Sequence, residues 1–396
     1  MRGRVNDQPV LFHVFDVEGR IRLDHPLRDI KRRVDRILAG MSAQFEEAYS
    51  TTGRPGVPPE RLLKALLLMA LYSVRSERQV CERIDTDLLF RWFLDLQPSD
   101  EAFDATTFTH NRTRLDDHAL AAGFFAAVTG EALTAGLCSE HFSVDGTLIE
   151  SFAAAKSFRP KAAGGSGASA GDGGSPPRDR GSSPEDGNGF QPRNAEVDFH
   201  GEKRTNETHQ SRTEPEAKLY RKGRGKEAKL SHMGHVLSEN RNGLIVGVVA
   251  SEANGTAECA AALELVDEAK ATHAVTPKTL GADKGFDSGQ FYLDLEARGI
   301  EPHVPLVKEP RDPAAVPQKK RRPGVEARQR MKARQETEGY RLSQKCRKKV
   351  EECFGWLKTI AGLGRSRTVG RWKLQQMLEI GAAAFNLVRL RTLKPA

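Results

Sequence analysis

Residues 228–252 read AKLSHMGHVLSENRNGLIVGVVASE. Two strand-like runs flank Asn240-Arg241-Asn242-Gly243, a turn-forming tetrapeptide, and together they predict a hairpin. The second run, GLIVGVVA, is almost continuously apolar, as a strand covered on both faces is. Such a strand needs layers above and below it, so the fold class is α/β: a mixed sheet flanked by helices.

The neighbouring segments supply those layers. Upstream, FSVDGTLI (142–149) alternates Phe142 and Val144 with Ser143, Asp145 and Thr147, a strand pattern. Downstream, TAECAAALELVDEA (256–269) sets Cys259, Ala262, Leu263 and Val266 on one helical stripe. TPKTLGADKG then predicts a short strand closing at Asp283, a helix over 290–298 and a strand at EPHVPLV (301–307). A basic, Pro-interrupted loop covers 308–340, a helix 344–363, and a last amphipathic helix turns Leu374, Met377, Leu378, Gly381 and Val388 one way.

Residues 1–135 have a different texture. PPERLLKALLLMALYSVRSERQVCERI (58–84) enters a helix after two prolines and carries Leu62, Leu63, Leu66, Leu67 and Ala70 at helical spacing. LLFRWFLDL and FFAAVTGEALTAG add further periods, so an all-helical N-terminal domain is predicted. Residues 138–160 hold the first strand of the α/β domain and 196–396 its remainder. Between them, 161–195 is a Gly/Ser/Pro insert too poor in apolar residues to offset its ordering entropy, and is read as disordered.

Composition sets the outer limits. With 396 residues, 38% hydrophobic and 29% charged, the chain has a soluble globular balance and room for two or three folding units at about 150 residues each. No apolar run reaches the roughly 20 residues of a membrane span, and the N-terminus lacks a signal-peptide layout, so a cytoplasmic location is expected. Five scattered cysteines without CxxC spacing exclude a disulfide framework and a zinc site. Net charge is +8, and it is unevenly placed. Residues 308–349 carry 15 Lys and Arg against 5 Asp and Glu, and 350–396 carry 8 against 3, leaving the first 307 residues net acidic. Localised positive charge marks a polyanion partner.

Three carboxylates occupy meaningful places. Asp145 sits mid-strand on the face opposite Phe142 and Val144, where an ionised group needs partners or a metal; a solvated edge residue would look the same in isolation. Asp283 lies at the carboxyl end of a strand, where open α/β sheets bind ligands; a turn or helix-capping role is the alternative, and Asp287 fits that role too. In RKKVEECFGWLK, Val350, Cys353, Phe354 and Leu357 form the buried stripe. Arg347, Glu351 and Lys358 fall together at its edge, whereas Glu352 points to solvent; a helical Arg347–Glu351 pair accounts for two of those three. Two strand aspartates and a helix glutamate that converge repel one another unless cations lie between them, and oxygen-only donors suit Mg²⁺ or Mn²⁺.

VDGTLI, GADKGFDS and the spacing R-x3-E-x6-K (Arg347, Glu351, Lys358) resemble the three catalytic blocks of bacterial insertion-sequence DDE transposases, most closely the group numbered five. GRPGVPPERLLKALLLMALYSVRSERQVCERI resembles the helical domain that precedes their catalytic core, which implies a DNA-binding or assembly role for residues 1–135. The resemblance implies a ribonuclease H-like core in which Asp145, Asp283 and Glu351 bind two Mg²⁺ ions, with Mn²⁺ able to substitute. It further implies Mg²⁺-dependent cleavage at transposon ends and strand transfer into target DNA. Arg347 and Lys358 would then contact phosphates at the terminal inverted repeats, and a homodimer would assemble on double-stranded DNA in the bacterial cytoplasm, associated with the nucleoid. The chain departs from the wider signature at Gln344, where a Tyr stands three residues before the Arg. Two other functions use the same residues: a decayed, catalytically inactive DNA-binding repressor, and a ribonuclease H-type nuclease.

Further basic residues are candidates for DNA contact. Lys222, Arg224, Lys226 and Lys229 precede the hairpin, and Arg365, Arg367, Arg371 and Lys373 surround Trp372. Trp372 serves either as a stacking platform or as the core anchor of the last helix. Arg112 and Arg114 offer a contact from the helical domain. His232 and His235 fall on opposite faces of their strand, which argues against a shared metal.

Overall fold

The computed structural model describes residues 16–50, 52, 56–161, 204–221, 227–310 and 323–393. From the N-terminus run α1 (Val17–Arg20), α2 (Pro26–Gly40), α3 (Ser42–Ala48), α4 (Pro59–Leu71), α5 (Glu77–Thr86), α6 (Leu88–Phe93), α7 (Ala105–Asp117) and α8 (Leu120–Thr134). The strands β1 (His141–Glu150), β2 (Phe158–Pro160), β3 (His209–Ser211), β4 (Lys218–Tyr220), β5 (Lys229–Glu239) and β6 (Ile245–Glu252) follow. After α9 (Ala257–His273) come β7 (Thr279–Gly281), α10 (Gly289–Ala297) and β8 (Glu301–His303). The chain closes with α11 (Pro323–Arg334), α12 (Glu338–Cys346), α13 (Lys349–Thr359) and α14 (Arg371–Leu390). The insert predicted at 161–195 lies, from 162 on, outside the described residues.

The hairpin forms as the sequence predicts. β5 and β6 pair antiparallel, and Gly243 takes φ +68° in the turn. Buried Glu239 holds that turn by accepting from the backbone N–H groups of Arg241, Asn242 and Leu244. β5 also pairs antiparallel with β1, which runs parallel to β7, and β7 parallel to β8. The sheet therefore reads β6-β5-β1-β7-β8, with short β4 beside the other end of β5.

Two apolar layers enclose it. On one face Phe142, Val144, Leu265, Val266, Phe286, Phe291 and Tyr292 pack β1 against α9 and α10. On the other, Val236 and Val248 meet Val350, Phe354, Leu378 and Phe385, and this core continues without a break into the helical region through α4 and α8. α4 is buried nearly all round; its Lys64 enters the interior by pairing with Asp35 at 2.5 Å. Among the described residues no helix is long and apolar enough to cross a membrane.

Several expectations require correction. The stretch 308–340 is not a loop throughout: α11 and the start of α12 lie within it. α11 is held by buried Ala327 and Met331 and by ion pairs of Arg330 and Arg334 with Glu296. Part of the C-terminal basic excess is thus neutralised inside the fold. The helix predicted over 344–363 starts earlier and breaks after Cys346, where i→i+3 bonds at Val350 and Glu351 tighten the backbone. That break lets α12 pack on β8 while α13 packs on β5. α14 is not amphipathic along its length: residues 380–387 are all buried because it lies between the helical region and the sheet. Its Gln375 and Asn386 amides bond the β6 backbone at Ala250, Val248 and Ile245, covering the sheet edge. The buried stripe of α9 runs through Ala261, Ala262, Leu265 and Val266, with Cys259 and Leu263 at its margin. Trp372 is no core anchor; it is 36% exposed, with the Lys373 ammonium 4.9 Å from its ring centroid. All five cysteines are free thiols.

Candidate active site

Parallel register brings the two aspartates together. Ser143 on β1 pairs with Gly281 on β7, and Asp145 and Asp283 each follow two residues later, so they sit at the same height in neighbouring chain segments. β7 itself stops at Gly281, which leaves Asp283 just beyond the strand at the start of a 3₁₀ turn, Lys284–Phe286. There its Oδ1 accepts the Gly285 N–H at 2.7 Å. The capping role foreseen for this residue is therefore real and coexists with its position beside Asp145. Asp287 closes the 3₁₀ turn through its backbone N–H, but its side chain caps no helix. Its side chain is 3% exposed and accepts from Arg328, the Tyr292 hydroxyl and the Val307 N–H, tying α10 to α11.

Asp145 is the most perturbed acid of the group. Burial raises its carboxyl to about 6, opposed by the Gly146 N–H at 2.8 Å and reinforced by the charge of Asp283. The Arg347 guanidinium, 3.9 Å away, lowers it, and the charge of Glu351 raises it again. Glu351 is thus near enough to act on Asp145 from α13, whereas its neighbour Glu352 turns aside to Arg389 Nη1 at 3.1 Å. Gln344, at the position where the wider signature has Tyr, donates to the His303 carbonyl at 2.6 Å and so holds α12 against the β8 backbone beside Asp283.

Sequence reasoning missed Glu258. It lies in the first turn of α9, half-buried, and its carboxyl is raised by burial and by the charges of Asp283 and Asp145. The signal was an acid at a helix N-terminus directly after the β6 strand, which sequence alone does not separate from an ordinary helix-end charge. His235, on the β5 face toward Gly146, is buried with Nε2 on Ser251 Oγ at 2.8 Å; burial lowers it to about 4, so it is a neutral imidazole. His232 points to the opposite face and pairs with Glu214 at 2.9 Å.

The donor set is all oxygen and acidic, which fits a hard divalent cation. Gly146 and Gly285 allow a close approach that a Cβ would block: it would stand 2.9 Å from His235 Nδ1 at the first and 2.9 Å from Asp283 Oδ1 at the second. Neighbouring acids raise Asp145 and Glu258 without forming a closed cage: among the described residues no three His, Cys, Asp or Glu side chains stand as a ready ion site.

The remaining basic candidates separate. Lys358, Arg365, Arg367 and Lys373 line one cleft of 620 Å³ between the helical region and the 358–377 segment, together with Arg75. Arg365 and Lys229 both flank Glu150, at 3.9 and 3.2 Å. Arg112 does not face outward; it is 3% exposed and bonds Gln376 Oε1 at 2.7 Å and Glu77 Oε1 at 2.6 Å, joining α7 to α14 and α5. Arg114 lies over the Tyr49 ring. Lys222, Arg224 and Lys226 lie outside the described residues.

Two parallel strands set Asp145 level with Asp283, which lies just past the end of its own strand, beside a glutamate on a packed helix, a set of oxygen donors suited to metal-dependent phosphodiester chemistry. Comparison with known families agrees: residues 15–114 match the model described as Transposase domain (DUF772), and residues 198–387 match the Transposase DDE domain. By these two matches, in this order, the chain belongs to the insertion-sequence DDE transposases. The second match spans Asp283, Arg347, Glu351 and Lys358, whereas Asp145 falls between the two matches. No curated protein and no solved structure matches the chain.

Proposed function

We propose that this protein is a transposase of the group numbered five, with a ribonuclease H-like core that cleaves DNA at transposon ends and joins the freed 3′ ends to target DNA. The observation that carries the reading is the parallel register of β1 and β7, which sets Asp145 and Asp283 level, with the charges of Asp283 and Glu351 both raising the Asp145 carboxyl. The sheet order β6-β5-β1-β7-β8, with β5 alone of these five strands running antiparallel to the others, supports the ribonuclease H-like assignment.

Asp145, Asp283 and Glu351 would hold two Mg²⁺ ions, or Mn²⁺ in their place. When bound, such ions supply activation of an attacking oxygen and stabilisation of a leaving one. The protein's own groups do the rest. Arg347 offsets the charge of Asp145 and presents a guanidinium to a phosphate oxygen. Lys358, Arg365 and Arg367 line a cleft that receives the DNA backbone, and Lys229 extends the basic surface along β5. The helical region, residues 1–135 in the sequence division, contributes the opposite wall of that cleft through Arg75. The partners are double-stranded DNA carrying terminal inverted repeats, target DNA and a second copy of the chain; the setting is the bacterial cytoplasm, at the nucleoid.

The test is cleavage of repeat-bearing duplex with Mg²⁺ by the wild type and by Asp145→Ala, Asp283→Ala and Glu351→Ala. Each variant is expected to lose cleavage while retaining repeat binding. Wild-type cleavage by any one of them refutes the triad. Metal-independent binding without nicking by the wild type would favour a repressor, and preference for RNA–DNA hybrid a ribonuclease.

A further inference from the structure

The three-acid reading leaves out Glu258. A carboxylate in the first turn of a helix is favoured by the helix dipole, and that would suffice for an acid turned to solvent. This one is turned inward. Its Oε1 lies 3.2 Å from the point that a Cβ on Gly146 would occupy, and its Oε2 lies 3.3 Å from the equivalent point on Gly285. Asp283 Oδ1 is 2.9 Å from that same Gly285 point, so carboxylates from two elements border one gap. Neither glycine has positive φ, so the absence of a Cβ matters here for the room it leaves, not for backbone freedom.

A second observation comes from the other side of the gap. His235 is 0% exposed, and its Nε2 is satisfied by Ser251. Its Nδ1 is buried without a hydrogen-bond partner and lies 2.9 Å from the Gly146 point. An unsatisfied buried ring nitrogen facing a gap bordered by carboxylates marks a place where something binds. Charge points the same way. The acids that Glu258 senses are Asp283 and Asp145, and Arg347 is a cation that acts on Asp145. Carboxylates converging from this many elements need positive charge between them.

We propose that Glu258 is a fourth carboxylate of the metal centre, holding a divalent cation together with Asp145 and Asp283, with His235 lining the same gap. The proposal rests on the three-acid reading and adds a ligand to it.

The test uses the full chain, free of DNA, titrated with Mn²⁺ at pH 8 by calorimetry, with circular dichroism to verify folding. Glu258→Gln, which keeps size and removes charge, is expected to lose one bound ion or to weaken Mn²⁺ about tenfold or more. Gly146→Ala, whose methyl would press on the buried His235 ring, should do the same where circular dichroism shows it folded, and Glu258→Asp, which keeps the charge but withdraws it by one methylene, decides the matter if Glu258→Gln does not fold: it should weaken Mn²⁺ as well, and normal binding by it would refute the fourth ligand. Glu264→Gln, on the exposed side of α9, should bind as the wild type does. If Glu258→Gln and Gly146→Ala bind Mn²⁺ normally while Asp283→Asn has lost it, the fourth ligand is refuted and the three-acid site stands. Normal binding by Asp283→Asn removes both.

Discussion

Asp145→Asn takes one charge out of the site while keeping an oxygen to accept the Gly146 N–H. The native carboxyl is raised to about 6 from 3.8, by burial first and then by neighbouring acids. At about 1.4 kcal/mol per pH unit, that corresponds to roughly 3 kcal/mol against the ionised form. Between the two values the native state binds more protons than the unfolded chain, so stability falls as pH rises from about 4 to about 6. Above that window the whole penalty is present, and the variant escapes it. Thermal unfolding in EDTA should therefore show the variant more stable than wild type at pH 8, by about 1–3 kcal/mol after local relaxation. For a unit of 150–250 residues this is about 2–4 °C per kcal/mol. At pH 4 the two should coincide. Mg²⁺ should raise the wild-type midpoint and leave the variant nearly unmoved, because protons and cations compete for the same oxygens. A variant that at pH 8 without metal melts no higher than wild type would refute the reasoning, since the carboxylate would then not be under electrostatic strain.

Other consequences can be measured separately. Glu351→Gln should abolish cleavage and Glu352→Gln should retain it, because Glu352 is engaged with Arg389 on the outer side of α13; equal loss in both would refute the assignment. Lys358→Ala, Arg365→Ala and Arg367→Ala should each weaken binding to any duplex and lower the slope of log K against log salt by about one. An unchanged slope would remove that residue from the DNA path. Arg112→Ala should destabilise the protein by about 3 kcal/mol in denaturant unfolding, through loss of charged hydrogen bonds to Glu77 and Gln376. Asn386→Leu should cost about 1–3 kcal/mol for each β6 backbone group it leaves unpaired at Ile245, and amide exchange there should accelerate.

The sequence alone determined what depends on local periodicity and chemistry. It gave the hairpin at 228–252, because a turn signal and two strand runs are contiguous. It gave the helical texture before residue 135, and the preference for Glu351 over Glu352, because consecutive helix residues lie about 100° apart, which leaves Glu351 at the edge of the buried stripe and turns Glu352 to solvent. It also gave the order of the three acid blocks. Only the tertiary structure decided matters that depend on register and on what covers each face. Asp145 and Asp283 meet because β1 and β7 pair in parallel at Ser143 and Gly281. Arg112 is an internal strut and Trp372 is exposed because α14 is wedged between the helical region and the sheet. The basic run after 308 is partly neutralised because α10 supplies Glu296 to it. Glu258 was invisible for the same reason: an acid at a helix start looks alike whether it faces water or the gap between two glycines, and only the packing of α9 across the sheet separates the two.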